Sequence, residues 1–207
     1  MPALSRQGPE RIGLFGGTFD PPHLGHVAAA EAVVPALGLD RLLLVVANDP
    51  WQKSPTRDIT PAEDRFAMAE AMAAQLPAAE ASRLEIDRGG PSYSVDTVEA
   101  LLTDADEDGS EPEIFLVVGA DLVPDLESWE RAEDLKRLVT VAVVSRPNTP
   151  TPLPPPGWTL VRVNGPAVDV SSSEVRDRLH RGESVNGMVP DAVIHCIARR
   201  ALYAVGR

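Results

Sequence analysis

The run Arg41-Leu42-Leu43-Leu44-Val45-Val46 carries no polar side chain after its first residue, and a strand of that kind has to be covered on both faces. Comparable short runs rich in Leu or β-branched residues lie at 11–15, 83–87, 114–118, 139–144 and 159–163, and each is a candidate strand. Helical patterns fall between them. Doubly covered strands separated by helices imply an α/β chain of Rossmann-like type, with a mostly parallel sheet and helices on both faces.

The first helical pattern covers 27–37. The second opens on Thr60, Pro61 and Glu63, with the spacing of an N-cap, an N1 proline and an N3 carboxylate, and runs on through Arg65, Phe66, Met68 and Met72. Further helices are expected at 94–102, 171–181 and 190–203. The acidic stretch 104–113 reads as a surface loop. So does 146–157, where Pro147, Pro150, Pro152, Pro154, Pro155 and Pro156 forbid regular pairing. Neither stretch looks like a linker and no internal repeat is present, so 11–207 is expected to be one domain behind a flexible N-terminus, 1–10.

With only 4% aromatic residues, the core has to be built from Leu, Val, Ile and Ala. A formal charge of −12 argues against a general nucleic-acid binder, which needs clustered cations to displace counterions. A polyanionic small molecule remains compatible if cations are gathered locally. The single cysteine, Cys196, excludes an internal disulfide framework and a Cys-based zinc site. No apolar leader occurs in the first ten residues and no apolar run reaches membrane-spanning length, so the expectation is a cytoplasmic protein with no membrane partner. A homo-oligomer is left open.

Chemistry concentrates in Gly16-Gly17-Thr18-Phe19-Asp20-Pro21-Pro22-His23-Leu24-Gly25-His26, which follows the first strand and leads into the first helix. Gly16 and Gly17 allow a tight turn and close approach of a ligand to the backbone, and the N–H groups of the helix start favour an anion. His23 and His26 stand three apart, so one helical turn can aim both imidazoles at one bound group. Taken alone, the pair could also be a fragment of a metal site, or structural, with one histidine capping a turn. The metal reading lacks the carboxylate of the zinc-protease pattern.

The H-x-G-H tetrapeptide behind a G-G-T-F-D-P-P turn resembles the nucleotidyltransferase superfamily of Rossmann-like fold. Gly119-Ala120-Asp121 with Leu126 and Trp129, the segment Ser92-Tyr93-Ser94-Val95-Asp96-Thr97, and Val170-Ser171-Ser172-Ser173-Glu174-Val175-Arg176 narrow the resemblance to bacterial nicotinate-nucleotide adenylyltransferases. These motifs come in the family's order and span most of the chain. Ser94 stands where the family commonly has Thr, and Asn148 replaces the glycine of an R-P-G segment.

The resemblance implies transfer of AMP from ATP to nicotinate mononucleotide, with pyrophosphate released. The alternatives are a related transferase using nicotinamide mononucleotide or pantetheine phosphate, or an idle nucleotide-binding protein on the same fold. It implies that His23 and His26 act on the phosphates, and that Gly16, Gly17, Thr18 and Phe19 surround the transferred group. Lys53, Ser172, Ser173, Arg176 and, more weakly, Arg146 would hold the polyphosphate. Tyr93, Ser94, Asp121 and Trp129 would take the mononucleotide, with Trp129 stacking on the pyridine. Read from the residues alone, Ser171 and Glu174 have capping-box spacing, and Trp129 serves equally well as core. Mg2+ is expected as cofactor, bound mainly through substrate phosphates, and no protein metal ligand is assigned. Cys196, His180 and His195 read as structural.

Overall fold

The computed structural model describes residues 8–50, 58–145 and 152–203. Among them, six strands form one all-parallel sheet: β1 (Arg11–Gly17), β2 (Arg41–Val46), β3 (Ala79–Ser82), β4 (Glu113–Gly119), β5 (Thr140–Ser145) and β6 (Leu160–Asn164). Their spatial order is β3-β2-β1-β4-β5-β6, so the chain builds outward from β1 in one direction and then returns to β1's other side. The helices are α1 (Leu24–Leu37), α2 (Ala62–Ala73), α3 (Leu84–Arg88), α4 (Ser94–Glu107), α5 (Ala132–Leu138), α6 (Ser172–His180) and α7 (Asp191–Arg200), with a 3-10 helix at Ala120–Ser128.

Strand alternation divides the core between the two faces. Leu42, Leu44 and Val46, with Phe115 and Val117, pack with Met68, Met72, Val175, Val193 and Ile197 from α2, α6 and α7. Leu43 and Val45, with Ile114, Leu116 and Val118, pack instead with Val95 and Val98 of α4, Leu126 of the 3-10 helix and Leu135 of α5. The doubly covered strands inferred from 41–46 and 114–118 are present, and the single-domain Rossmann-like reading holds.

Three local expectations change. The expected strand 83–87 is instead the N-cap Arg83 and most of α3, Leu84–Arg88, and the third strand is the preceding Ala79–Ser82. An edge strand is held by backbone pairing, here Leu42↔Ala79 to Val45↔Ser82, so Ala-Glu-Ala-Ser can pair with no apolar signal. The alternating Leu84 and Ile86 imitate one. Thr60 does not cap α2: Pro61 takes the N-cap position without a side-chain bond, and the Thr60 carbonyl accepts from Arg65 Nε at 2.7 Å. The acidic run enters α4 as far as Glu107, where most of its carboxylates are exposed on the helix surface.

Candidate active site

Strands β1 and β4 are neighbours in space but not in sequence, and their connections leave in opposite directions, which opens a crevice at their carboxyl ends. Gly16 and Gly17 end β1 there and Gly119 ends β4. The crevice has a volume of about 240 Å³. Phe15, Gly16, Gly17 and Thr18 line one wall; Tyr93 and Ser94, at the start of α4, and Leu122, Trp129 and Glu130 line the others. A Cβ on Gly16 would meet no atom within 4 Å, so Gly16 lies open to the crevice. A Cβ on Gly17 would stand 3.0 Å from the Phe19 ring, a contact so tight that the ring would have to yield.

Phe19 is buried at φ +50, a left-handed backbone conformation costly for a large side chain, and its ring packs against Phe15 and His26. The turn then delivers His23 to the N-cap of α1. His23 Nδ1 accepts from the Gly25 N–H at 3.1 Å, while the His23 N–H donates to His26 Nδ1, also at 3.1 Å. This is a capping box made by two histidines, with ring centroids 3.9 Å apart. A Cβ on Gly25 would fall 2.9 Å from the His23 ring, which explains the glycine between them. Because both Nδ1 atoms accept, the neutral rings carry their hydrogens on Nε2. The first turn of α1 contains no acidic residue to oppose an anion.

The start of α6 is tied to the same turn from the far end of the sequence. Ser172 Oγ donates to the Pro21 carbonyl at 2.9 Å, and Arg176 donates through Nη1 to the Asp20 carbonyl at 2.7 Å and through Nη2 to Ser173 Oγ at 3.1 Å. Ser171 caps α6 by accepting from the Glu174 N–H, so one half of the expected capping box forms. The buried Asp20 carboxylate accepts from Tyr203 Oη at 2.7 Å. Burial, with the Asp20 charge beside it, pushes the Tyr203 phenol far up.

The structure thus brings Gly16, Gly17, Thr18, Tyr93, Ser94 and Trp129 onto one crevice. It gathers Phe19, His23, His26, Ser172, Ser173 and Arg176 around the turn that borders it. Asp121 is exposed, and its carboxylate folds back over the Cα of Gly119, where a Cβ would collide with it. Trp129 is half-buried, with core contacts and a crevice face at once. Lys53 and Arg146 lie outside the described residues. Among the described residues no cluster of three His, Cys, Asp or Glu could hold a metal, and no helix is long and apolar enough to cross a membrane. Cys196 is buried, whereas His180 at the end of α6 and His195 on α7 are both exposed.

Two residues of the site escaped the sequence reading. Arg65 is 1% exposed and donates to the carbonyls of Thr18, Ala47, Asn48 and Thr60, pinning the glycine-rich turn, the end of β2 and the approach to α2 together. The signal was present: Arg65, Met68, Ala69 and Met72 share one helical face, and the other three are core. Glu85 is buried and lines the crevice, accepting from Thr97 Oγ1 at 2.8 Å. Burial raises its pKa above the usual carboxylate range, and the nearby Asp96 adds to the shift.

The cytidylyltransferase-like family profile matches residues 14–178. Two bacterial proteins, each named a probable nicotinate-nucleotide adenylyltransferase, resemble the chain over nearly its whole length. The one from Acidothermus cellulolyticus is 40% identical, covering 93% of this chain and 94% of its own. The one from Thermus thermophilus is 43% identical, covering 93% and 99%. The nicotinic acid mononucleotide adenylyltransferase of Plasmodium falciparum complexed with NaAD shares the fold at a TM-score of 0.76 and 17% identity, over 94% of this chain and 97% of that one.

Proposed function

The chain belongs to the cytidylyltransferase-like family and, within it, to the nicotinate-nucleotide adenylyltransferases, and from that premise we propose how its site performs the transfer. It is a nucleotidyltransferase of NAD biosynthesis, joining AMP from ATP to nicotinate mononucleotide and releasing pyrophosphate. Its cytoplasmic location is part of the same proposal.

The observation that carries the site assignment is the convergence of two helix starts, those of α1 and α6, on the single turn 18–23 beside the switch-point crevice. Two positive helix ends aimed at one place suit a polyphosphate, although α6 also carries Glu174 in its first turn. In the reaction a phosphate oxygen of the mononucleotide attacks the α-phosphorus in line. One P–O bond forms as the bond to the leaving pyrophosphate breaks. No protein nucleophile is needed, so the chain contributes position and charge neutralisation.

His23 and His26 donate from Nε2 to phosphate oxygens whose charge grows in the transition state. The backbone of Gly16 to Phe19 surrounds the reacting phosphate, while Arg176 and the Ser172-Ser173 start of α6, joined by Lys53 and Arg146, hold the departing phosphates. Trp129 stacks on the pyridine, the N–H groups at Tyr93 and Ser94 face its carboxylate, and Asp121 accepts from a ribose hydroxyl. Mg2+, held mainly by the substrate phosphates, would supply neutralisation of the polyphosphate charge.

Pyrophosphate release, measured with ATP and each mononucleotide in turn, tests the assignment. Nicotinate mononucleotide is expected to be preferred over its amide by about 10²-fold in kcat/KM, from one helix end and two charge-assisted hydrogen bonds. Equal values or preference for the amide refute it.

A further inference from the structure

Glu85 is a buried acid in a pocket assigned to an acidic ring, and the roles given above leave it unused. It sits on α3 and lines the crevice with Ser92, Tyr93 and Ser94. Thr97 Oγ1 donates to its Oε1 at 2.8 Å, and that hydroxyl in turn accepts from Arg88 Nη1 at 3.2 Å. The buried Ser92 hydroxyl lies beside Glu85 and, like that of Thr97, favours the ionised form.

We propose that Glu85 is a specificity-determining residue: the pocket accepts a pyridine carboxylate when the Glu85 carboxyl is protonated, and rejects it when Glu85 is ionised. The inference rests on the acceptor assignment above and deepens it. Two carboxylates facing one pocket, one of them buried, cannot both ionise without a Coulombic penalty, so binding the acid acceptor drives a proton from solvent onto Glu85. A carboxamide carries no charge and makes no such demand.

The charged groups acting on Glu85 are Arg88 on its own helix, which favours ionisation, and Asp96 on α4, which opposes it; Glu130 lines the crevice opposite. Strand β2, also packed against α3, offers only apolar side chains after Arg41. Burial is the largest influence and favours the protonated form. The acid acceptor therefore binds best below the Glu85 pKa and loses affinity as pH rises through it, while the amide acceptor does not.

The test compares kcat/KM for the two mononucleotides from about pH 6 to about pH 9, in the unaltered enzyme and in Glu85→Gln. The acid-to-amide ratio should fall on the order of tenfold with rising pH in the unaltered enzyme and stay level in the variant. Calorimetry of the unaltered enzyme in two buffers of different ionisation enthalpy, with a non-hydrolysable ATP analogue present, gives an independent reading. Proton uptake should be greater on binding the acid than the amide; the difference cancels the titration of the common phosphate. A ratio with the same pH dependence in both proteins, or equal uptake for both ligands, overturns the role of Glu85 and leaves the acceptor assignment standing. If neither mononucleotide is used, the acceptor assignment fails and this inference falls with it. Should the variant not fold, the calorimetric comparison decides.

Discussion

His23 and His26 cap one helix end reciprocally, the backbone N–H of His23 donating to His26 Nδ1 while His23 Nδ1 accepts from Gly25. The same bonds that hold the rings also choose their tautomer, so the fold and the chemistry draw on opposite nitrogens of each imidazole. His23→Ala should lower kcat by on the order of 10²-fold, as loss of a transition-state donor does, and should also cost about 1 kcal/mol from the lost cap. His23→Asn separates the two effects. Asparagine caps well but places no donor where Nε2 was, so denaturant unfolding should return to nearly the original midpoint while kcat stays low. Recovery of kcat in His23→Asn would show that the ring does nothing beyond capping.

Gly25→Ala perturbs the same arrangement from the backbone. On helix propensity alone, alanine in the first turn should stabilise α1 by a few tenths to about 1 kcal/mol. Here the new Cβ falls 2.9 Å from the His23 ring, which can move only by giving up its bond to the residue 25 N–H. The expected outcome is a kcat near that of His23→Ala, with no gain in thermal stability. A stabilised enzyme of unchanged kcat would mean that the ring relocates without consequence.

The sheet was legible because strands buried on both faces, such as 41–46 and 114–118, have to be apolar on successive residues. The edge strand was not, because Ala79–Ser82 is held by backbone pairing and two of its four side chains are alanine. The turn 16–26 was legible because its glycines and histidines have few other uses at a strand-to-helix junction. Arg65 and Glu85 were not read as site residues: a charged residue, whether in a helical pattern like Arg65 or in an expected strand like Glu85, is normally solvated, and only the three-dimensional closure of four carbonyls around Arg65, or of Thr97 over Glu85, reverses that.

Arg65 should therefore behave as a core residue. Arg65→Met keeps much of the volume but leaves the Thr18, Ala47, Asn48 and Thr60 carbonyls without that donor, and it should cost at least about 3 kcal/mol in urea unfolding. Arg65→Lys retains the charge but replaces a planar fork by a point donor, so its stability should fall between that of Arg65→Met and the original, with KM for ATP raised as the Thr18 turn loosens. An Arg65→Met protein as stable as the original would contradict the hub.

Tyr203 and Asp20 should govern the response to alkaline pH. Tyr203 Oη donates to the buried Asp20 carboxylate at 2.7 Å, and burial together with that charge raises the phenol pKa well above its ordinary value. In the unfolded chain the phenol ionises near its ordinary pKa of about 10, so above that pH the unfolded state has released a proton that the folded state still binds. Stability then falls as pH rises, because the folded state holds more protons than the unfolded one. The effect is absent below about pH 9, where both states are protonated. Tyr203→Phe removes both the hydrogen bond and the titration. It should be less stable than the original at neutral pH by on the order of 1–3 kcal/mol, with the gap closing as pH passes about 10. Thermal melts of the two proteins between about pH 8 and about pH 11 check the convergence. Curves that run parallel across that range would show that the phenol ionises equally in both states, and that Asp20 does not hold its proton in place.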